Sequence, residues 1–353
     1  MTRLPKLAPT FAAFAAASLL LTGCAVDQGG EAKGSDAKSQ SLTVACGALE
    51  EVCQKWTSTF QEKTGIPTKF VRLSSGETVA RLSATKDNPE FDIWHGGPAD
   101  GYGAAAEQGL IEKYKSPSAE KIPAEYKAED GTWTGVYVGV LGFCSNQKKL
   151  DQLGIEAPTK WDDLLNPKLK GQVESAHPST SGTAYTTLWT QSVRLGGEDA
   201  AIDWMKKLHE NILQYTKSGT APGQAAGRGE VAVGISFIHD CALYKEKGMS
   251  DMVITTPSDG TGHEVGGIAI IKGSKNMEAA KQYVDWAISA EAQDLGPEAG
   301  SYQAHTNPDC KPDDRITKLD EVNLLPWDFE KAGAARSAFT KRFDNEVVAP
   351  PSK

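Results

Sequence analysis

The usual signatures of catalysis are missing from these 353 residues. There is no GxSxG elbow, no GxxxxGK[ST] phosphate loop, no GxGxxG after a strand and no HExxH pair. No run of Lys or Arg exceeds two, and the formal charge is -9. A nucleic-acid backbone needs a basic stripe, because affinity there comes from releasing counterions, so no nucleic-acid partner is expected. No Cys-x-x-Cys pair occurs and the six histidines are scattered, so neither a metal site nor a cofactor is expected. After the N-terminus no apolar stretch is long enough to cross a bilayer.

What is present is an ordinary globular composition, 39% hydrophobic and 24% charged, with length for about two domains. The N-terminus is an address. Arg3 and Lys6 precede an apolar run from about Phe11 to Leu21, the pattern of a secretory signal. The segment Leu21 to Cys24 resembles the bacterial lipobox, which implies a signal peptide over 1–23 and a lipid on Cys24. Residues 24–40 are rich in Gly, Ser, Asp, Lys and Gln. They bury too little to offset their ordering entropy and read as a tether. The chain is therefore expected to be exported, held by lipid on the outer face of the cytoplasmic membrane and otherwise soluble.

Five cysteines remain, an odd number, in a compartment that favours disulfides. Cys46 ends an expected strand and Cys53 lies one turn into the next helix, so these two are expected to pair. Cys144 with Cys241 is left open, as is Cys310.

Strand and helix alternate. Strands are expected over 41–45, 68–73, 91–94, 171–176, 230–238 and 266–271. Helical spacing follows Leu49, Val52, Trp56 and Phe60, runs on from Ser75 to about Thr85, passes through Tyr185, Leu188 and Trp189, and covers 199–209 and 276–290. This spacing predicts parallel βαβ units in an α/β protein. No Gly/Ser linker divides the body, so two lobes joined by short crossing strands are expected.

In such sheets ligands bind beyond the carboxyl ends of strands, where the first turn of a helix offers free N–H groups and a positive dipole end. Three small-residue turns fit an anion: Ser74 to Glu77 with Ser75, Gly76 and Glu77; Ser179 to Thr183 with Thr180, Ser181, Gly182 and Thr183; and Tyr215 to Thr220, where Lys217 supplies a cation beside Ser218. Each alone reads first as a helix cap, and the three together favour an anion site. His239 and Asp240 close a strand, and Glu264 precedes another. Imidazole can donate to phosphate and carboxylates accept from hydroxyls. His95, Gly96 and Gly97 form a turn whose backbone could approach a ligand. The Ser179–Thr183 turn offers a nucleophile with no identifiable base, so a secreted phosphatase is the weaker alternative.

These segments together resemble the extracellular solute-binding proteins of ABC importers, in the iron(III)-type and sugar-phosphate-binding subgroup of type 2 periplasmic binding proteins. The resemblance runs from about Leu42 to Val347. It is carried by Arg72–Thr78, Phe91–Gly97, Pro178–Tyr185, Gln214–Gly219, Ala232–Asp240 and Gly260–Gly266. It implies two α/β lobes with a hinged cleft, placed here at 41–138 with about 267–303, and at 139–266 with about 304–353. It also implies a monomer that closes around one solute, hands it to a permease with a cytoplasmic ATPase and catalyses nothing. Ferric-binding members use adjacent tyrosines, whereas this chain has no Tyr-Tyr pair and only Tyr185 in the relevant turn. The Phe237–Asp240 and Gly262–Val265 segments are similar to members that take sugar phosphates. That resemblance implies His239 and the Ser75 and Ser181–Thr183 turns on phosphate, with Asp240 and Glu264 on sugar hydroxyls. A hexose phosphate is the expected ligand; phosphonates or ferric iron are the alternatives. His263 stands where similar sequences often carry Tyr.

Overall fold

A computed structural model describes residues 41–349; the signal, the lipobox cysteine and the tether lie outside the described residues. Eleven strands occur, β1 (Leu42–Cys46), β2 (Thr68–Arg72), β3 (Ile93–Pro98), β4 (Ile111–Glu112), β5 (Thr134–Asn146), β6 (Val173–Ala176), β7 (Ile212–Thr216), β8 (Val233–Phe237), β9 (Met252–Thr255), β10 (His263–Ile271) and β11 (Ala304–His305). They run in the order β2-β1-β3-β10-β5-β8-β6-β7, with β4, β9 and β11 on the flanks. β1 is parallel to β2 and β3, and β6 is parallel to β7 and β8, the two expected βαβ series.

The long strand β5 belongs to both series. Its first half pairs antiparallel with β10, from His263 opposite Val140 to Ile268 opposite Thr134. Its second half pairs with β8, starting at Leu141 opposite Phe237, and with β9. All thirteen of its residues are buried. Two further crossings lie alongside it. Leu141 N–H donates to Gly262 O at 3.1 Å, and Thr261 exchanges backbone bonds of 2.9 Å with Asn323 and Leu325. Three adjacent segments thus join the lobes.

Taken by strand partner, one lobe comprises 41–140 with 263–320 and the other 141–262 with 321–349. β10 therefore enters the first sheet three residues earlier than the sequence spacing implied, and β11 stays with that sheet. The first lobe packs Val44, Val52, Trp56, Phe60 and Tyr283 on one face and Trp94, Tyr102 and Val265 on the other. The second packs Phe143, Trp161, Tyr185, Trp189 and Phe237.

The last helix, Phe329–Phe343, straddles the two. Ala332, Phe339 and Phe343 sit in the second lobe's core, while Arg336 pairs with buried Asp100 of the first-lobe helix Ala99–Glu107. The Arg336 guanidinium also lies 4.6 Å from the Tyr185 ring centre. All described residues pack as one compact unit. Cys46 is bonded to Cys53 and Cys144 to Cys241, with Cα separations of 6.0 and 5.7 Å.

Candidate functional site

Between the lobes lies a cavity of about 500 Å³, counted to its lining atoms and open mouth. Its walls are chain turns rather than strand faces. Helices begin at Ser75, Ala99, Gly182, Ala221 and Ile238, and the residues that open each of them line the cavity: Ser74 and Ser75, Gly97 and Pro98, Ser181 to Thr183, Gly219 and Thr220, and Phe237, His239 and Asp240. The first turn of a helix carries N–H groups with no intrahelical partner and the positive end of the dipole. Four of these turns bring no carboxylate to the space and favour an anion; the fifth carries Asp240.

The close approach of these turns needs glycine. A β-carbon on Gly182 would sit 2.9 Å from Ser75 Oγ and 2.6 Å from Pro98 Cδ across the lobes. One on Gly219 would sit 2.1 Å from Thr183 Oγ1. Gly76 N–H donates across the gap to Thr180 O at 3.0 Å. The lobes are therefore in contact around the cavity.

A cation faces the anion turns, and it is not the one the sequence pattern selected. Arg72, the last residue of β2, reaches out of the first lobe. Its Nε donates to Ala48 O at 3.2 Å, and its Nη1 and Nη2 donate to Ser218 Oγ at 3.3 and 3.2 Å. No carboxylate pairs with it within 4.0 Å among the described residues, so its positive charge is uncompensated by an ion pair. Lys217 is exposed at the surface and does not line the cavity; its neighbour Ser218 instead holds the Arg72 fork.

The same cavity carries acceptors. Asp240 and Glu264 are each 3% exposed and His239 6%. His239 Nε2 stands 3.6 Å from Asp240 Oδ1, and its Nδ1 has no hydrogen-bond partner. Burial raises the Asp240 carboxyl to about 7, with Arg72 pulling the other way. Burial also raises Glu264 well above the ordinary carboxylate range, and the Asp240 charge adds to it. Gln303 Nε2 donates to Glu264 Oε1 at 3.2 Å. Burial pushes the His239 imidazole down to about 3. Gly139 of β5, directly opposite Glu264, makes room for both groups: a β-carbon there would be 2.8 Å from Glu264 Oε1 and 2.9 Å from His239 Cε1.

Of the residues singled out by sequence, Ser75, Gly97, Ser181, Gly182, Thr183, His239, Asp240 and Glu264 meet at this cavity. The others do not line it. Glu77 turns back to accept from Ser74 N–H at 3.2 Å. His95 is a core residue, stacked 3.8 Å from Trp56, 3.1 Å from the Tyr283 hydroxyl, and held down to about 3 by burial. Gly96 O accepts from Tyr102 OH at 3.0 Å. Thr180 Oγ1 bonds His177 O and Lys217 O. Tyr185 donates to Ala332 O at 2.5 Å, inside the second-lobe core. Arg72, Tyr137, Ser301 and Gln303 line the cavity without having been selected by sequence. The signal for Arg72 was its place at the carboxyl end of a strand.

The profile of one family, described as bacterial extracellular solute-binding protein, matches residues 99–331. The chain belongs to the bacterial extracellular solute-binding proteins. A solved solute-binding protein, the periplasmic protein AfuA of Actinobacillus pleuropneumoniae with exogenous fructose-6-phosphate bound, is 40% identical. It superposes with a TM-score of 0.85 over 88% of this chain and 99% of that one. An uncharacterized protein of Haemophilus influenzae is 41% identical over 94% of this chain and 95% of its own length. A Salmonella typhimurium protein named for binding 2-aminoethylphosphonate in the periplasm is 24% identical over 66% of this chain and 68% of its own. Solute-binding proteins of this family bind rather than catalyse, act outside the cytoplasmic membrane and serve ABC importers. They share the two-lobe type 2 fold seen here. Among the described residues no helix is long and apolar enough to cross a membrane.

Proposed function

We propose that this solute-binding protein captures a small organophosphate, foremost a hexose phosphate, in the interlobe cavity and delivers it to an ABC permease, while a lipid on Cys24 keeps it at the membrane. The reading is supported by two chemistries that line one cavity. Arg72 and the helix N-terminal turns would take a dianion. Asp240, Glu264 and Gln303 would accept from and donate to hydroxyls. A phosphate joined to a polyol satisfies both. A phosphonate uses the first set of groups and engages the second only if it carries an amine. Ferric iron fits the lining poorly, since the one tyrosine there, Tyr137, already accepts from Gly97 N–H at 2.8 Å.

Each lobe supplies part of the site, so the ligand favours the closed form by its differential affinity. The test is thermal unfolding of the full chain with fructose-6-phosphate, fructose, inorganic phosphate, 2-aminoethylphosphonate and ferric citrate. A ligand at 100 times its Kd adds about 2.7 kcal/mol. A rise with the sugar phosphate and none with fructose supports the reading. A rise with ferric citrate alone, or with the aminophosphonate alone, overturns it.

A further inference from the structure

Away from the cleft, three donors of different chemistry converge where the chain leaves β11. Asp294 caps the C-terminal end of the short helix Ala290–Gln293, His305 ends β11, and Cys310 lies in the turn that follows. One donor atom from each lies within 4.8 Å of the other two. All three side chains are half-buried. Their spacing in sequence matches no metal motif, so the fold alone assembles them.

Three further observations single out this cluster. His305 Nε2 is buried and has no hydrogen-bond partner, a condition that native structures rarely leave unserved. Cys310 is the one cysteine among the described residues outside a disulfide. Asp294 accepts from Lys311 N–H at 3.0 Å but has no cationic partner within 4.0 Å among the described residues. Asp294, Asp309 and Asp313 act on His305 and Cys310; Asp309 pairs with Lys121 and Asp313 with Arg315, which leaves Asp294 to the cluster.

A sulfur, an imidazole nitrogen and a carboxylate oxygen form a borderline-soft donor set. Calcium and magnesium prefer all-oxygen shells, whereas zinc accepts this mixture in a tetrahedron with one position left for water. Donors in such a tetrahedron stand roughly 3.5 Å apart, so the side chains must draw in by about an ångström. We propose that Asp294, His305 and Cys310 bind a divalent ion of the zinc class. Binding replaces three of the ion's waters with the imidazole nitrogen, the carboxylate oxygen and the sulfur, and the Cys310 thiol proton leaves to solvent; no electron is transferred. The ion would tie the turn after β11 to the end of the Ala290–Gln293 helix. It would thereby anchor the segment that carries Gln303 to the cleft.

The experiment uses the full chain, without a histidine tag and with Cys24→Ser so that Cys310 is its one free thiol. Zinc is titrated against a chromogenic chelator, and cobalt(II) serves as a spectroscopic probe. One equivalent should bind, with a thiolate-to-cobalt charge-transfer band. Cys310→Ser should abolish the band, and both it and His305→Ala should weaken zinc binding at least tenfold. Circular dichroism and the metal-free Tm establish that the variants fold. On the unaltered thiol, zinc should also slow alkylation of Cys310 at least tenfold. Absence of stoichiometric binding, binding retained by both variants, or an unchanged alkylation rate would each overturn the site.

Discussion

Arg72 is the side chain on which the cavity's charge balance turns. Its charge acts on the buried Asp240 carboxyl without pairing with it, and Ser218 Oγ and Ala48 O accept from its N–H groups. Arg72→Ala should weaken organophosphate binding at least tenfold, about 1.4 kcal/mol, by calorimetry. Arg72→Lys should not restore it, because a point charge replaces a two-pronged donor. His239→Ala and Asp240→Ala should each cost at least tenfold as well; wild-type affinity in both would remove this assignment of the site. Asp240 also makes a pH prediction. Its carboxyl is raised from 3.8 to about 7 by burial. Between those values the folded state binds more protons than the unfolded one, so Asp240 costs stability as pH rises. Buried His95 and His239, held down to about 3 from 6.5, act in the opposite direction over much of the same range. The difference between Asp240→Asn and wild type removes that carboxyl together with the charge that helps raise Glu264. The variant's advantage in Tm should grow from pH 4 to pH 7 and level off above. A flat difference would mean an ordinary Asp240. Sequence marked His239, Asp240 and Glu264 through their place beside strands. It favoured Lys217 over Arg72 because a cation within a Ser/Thr turn reads as a phosphate site, while a strand's last residue gives no sign of which lobe it reaches toward.

The elements that hold these groups were unequally legible. The βαβ series declared themselves through clean periodicity and capping turns. The crossing strand β5 did not. Its thirteen residues are buried throughout and interleaved with Gly135, Gly139 and Gly142, so neither period 2 nor period 3.6 stands out. β8 ends at Phe237 rather than Ile238, so His239 and Asp240 open a helix instead of closing a strand. That change gives them an N-terminal dipole environment. The glycines at the seams carry their own prediction. Gly182→Ala would place a methyl against Ser75 Oγ and Pro98 of the other lobe. It should leave the ligand-free Tm within about 2 °C, since a change of a few tenths of a kcal/mol moves Tm little in a chain this long. It should lower organophosphate affinity at least tenfold by hindering closure. Gly139→Ala should lower affinity similarly by displacing Glu264 and His239. If calorimetry finds both variants at wild-type affinity, the lobes do not close as described.

Over the whole molecule, three crossings lie side by side at Leu141, Thr261 and Asn323, and the last helix spans both lobes through the Asp100–Arg336 pair. That pair is buried, and Asp100 Oδ1 and Arg336 Nη2 lack partners. Arg336→Ala would strand a buried carboxylate and should destabilise the fold by about 3–5 kcal/mol, read as a fall in denaturation midpoint. Small-angle scattering should show the radius of gyration falling when fructose-6-phosphate is added. The two lobes and the cleft between them were legible from sequence. The straddling helix was not, because its role depends on contacts between chain segments more than two hundred residues apart.

The two disulfides have a consequence for when the chain can work. Cys46–Cys53 closes over Gly47, Ala48 and Leu49, which line the cavity, and Cys144–Cys241 pins β5 to the first turn that presents His239 and Asp240. Both walls are thus fastened by bonds that a reducing cytosol does not sustain. On the proposed reading, a chain still awaiting export has neither fastening and binds weakly. On that same reading, it would not act as a sink for phosphorylated sugars before export, and capture would begin only once both bonds had formed outside.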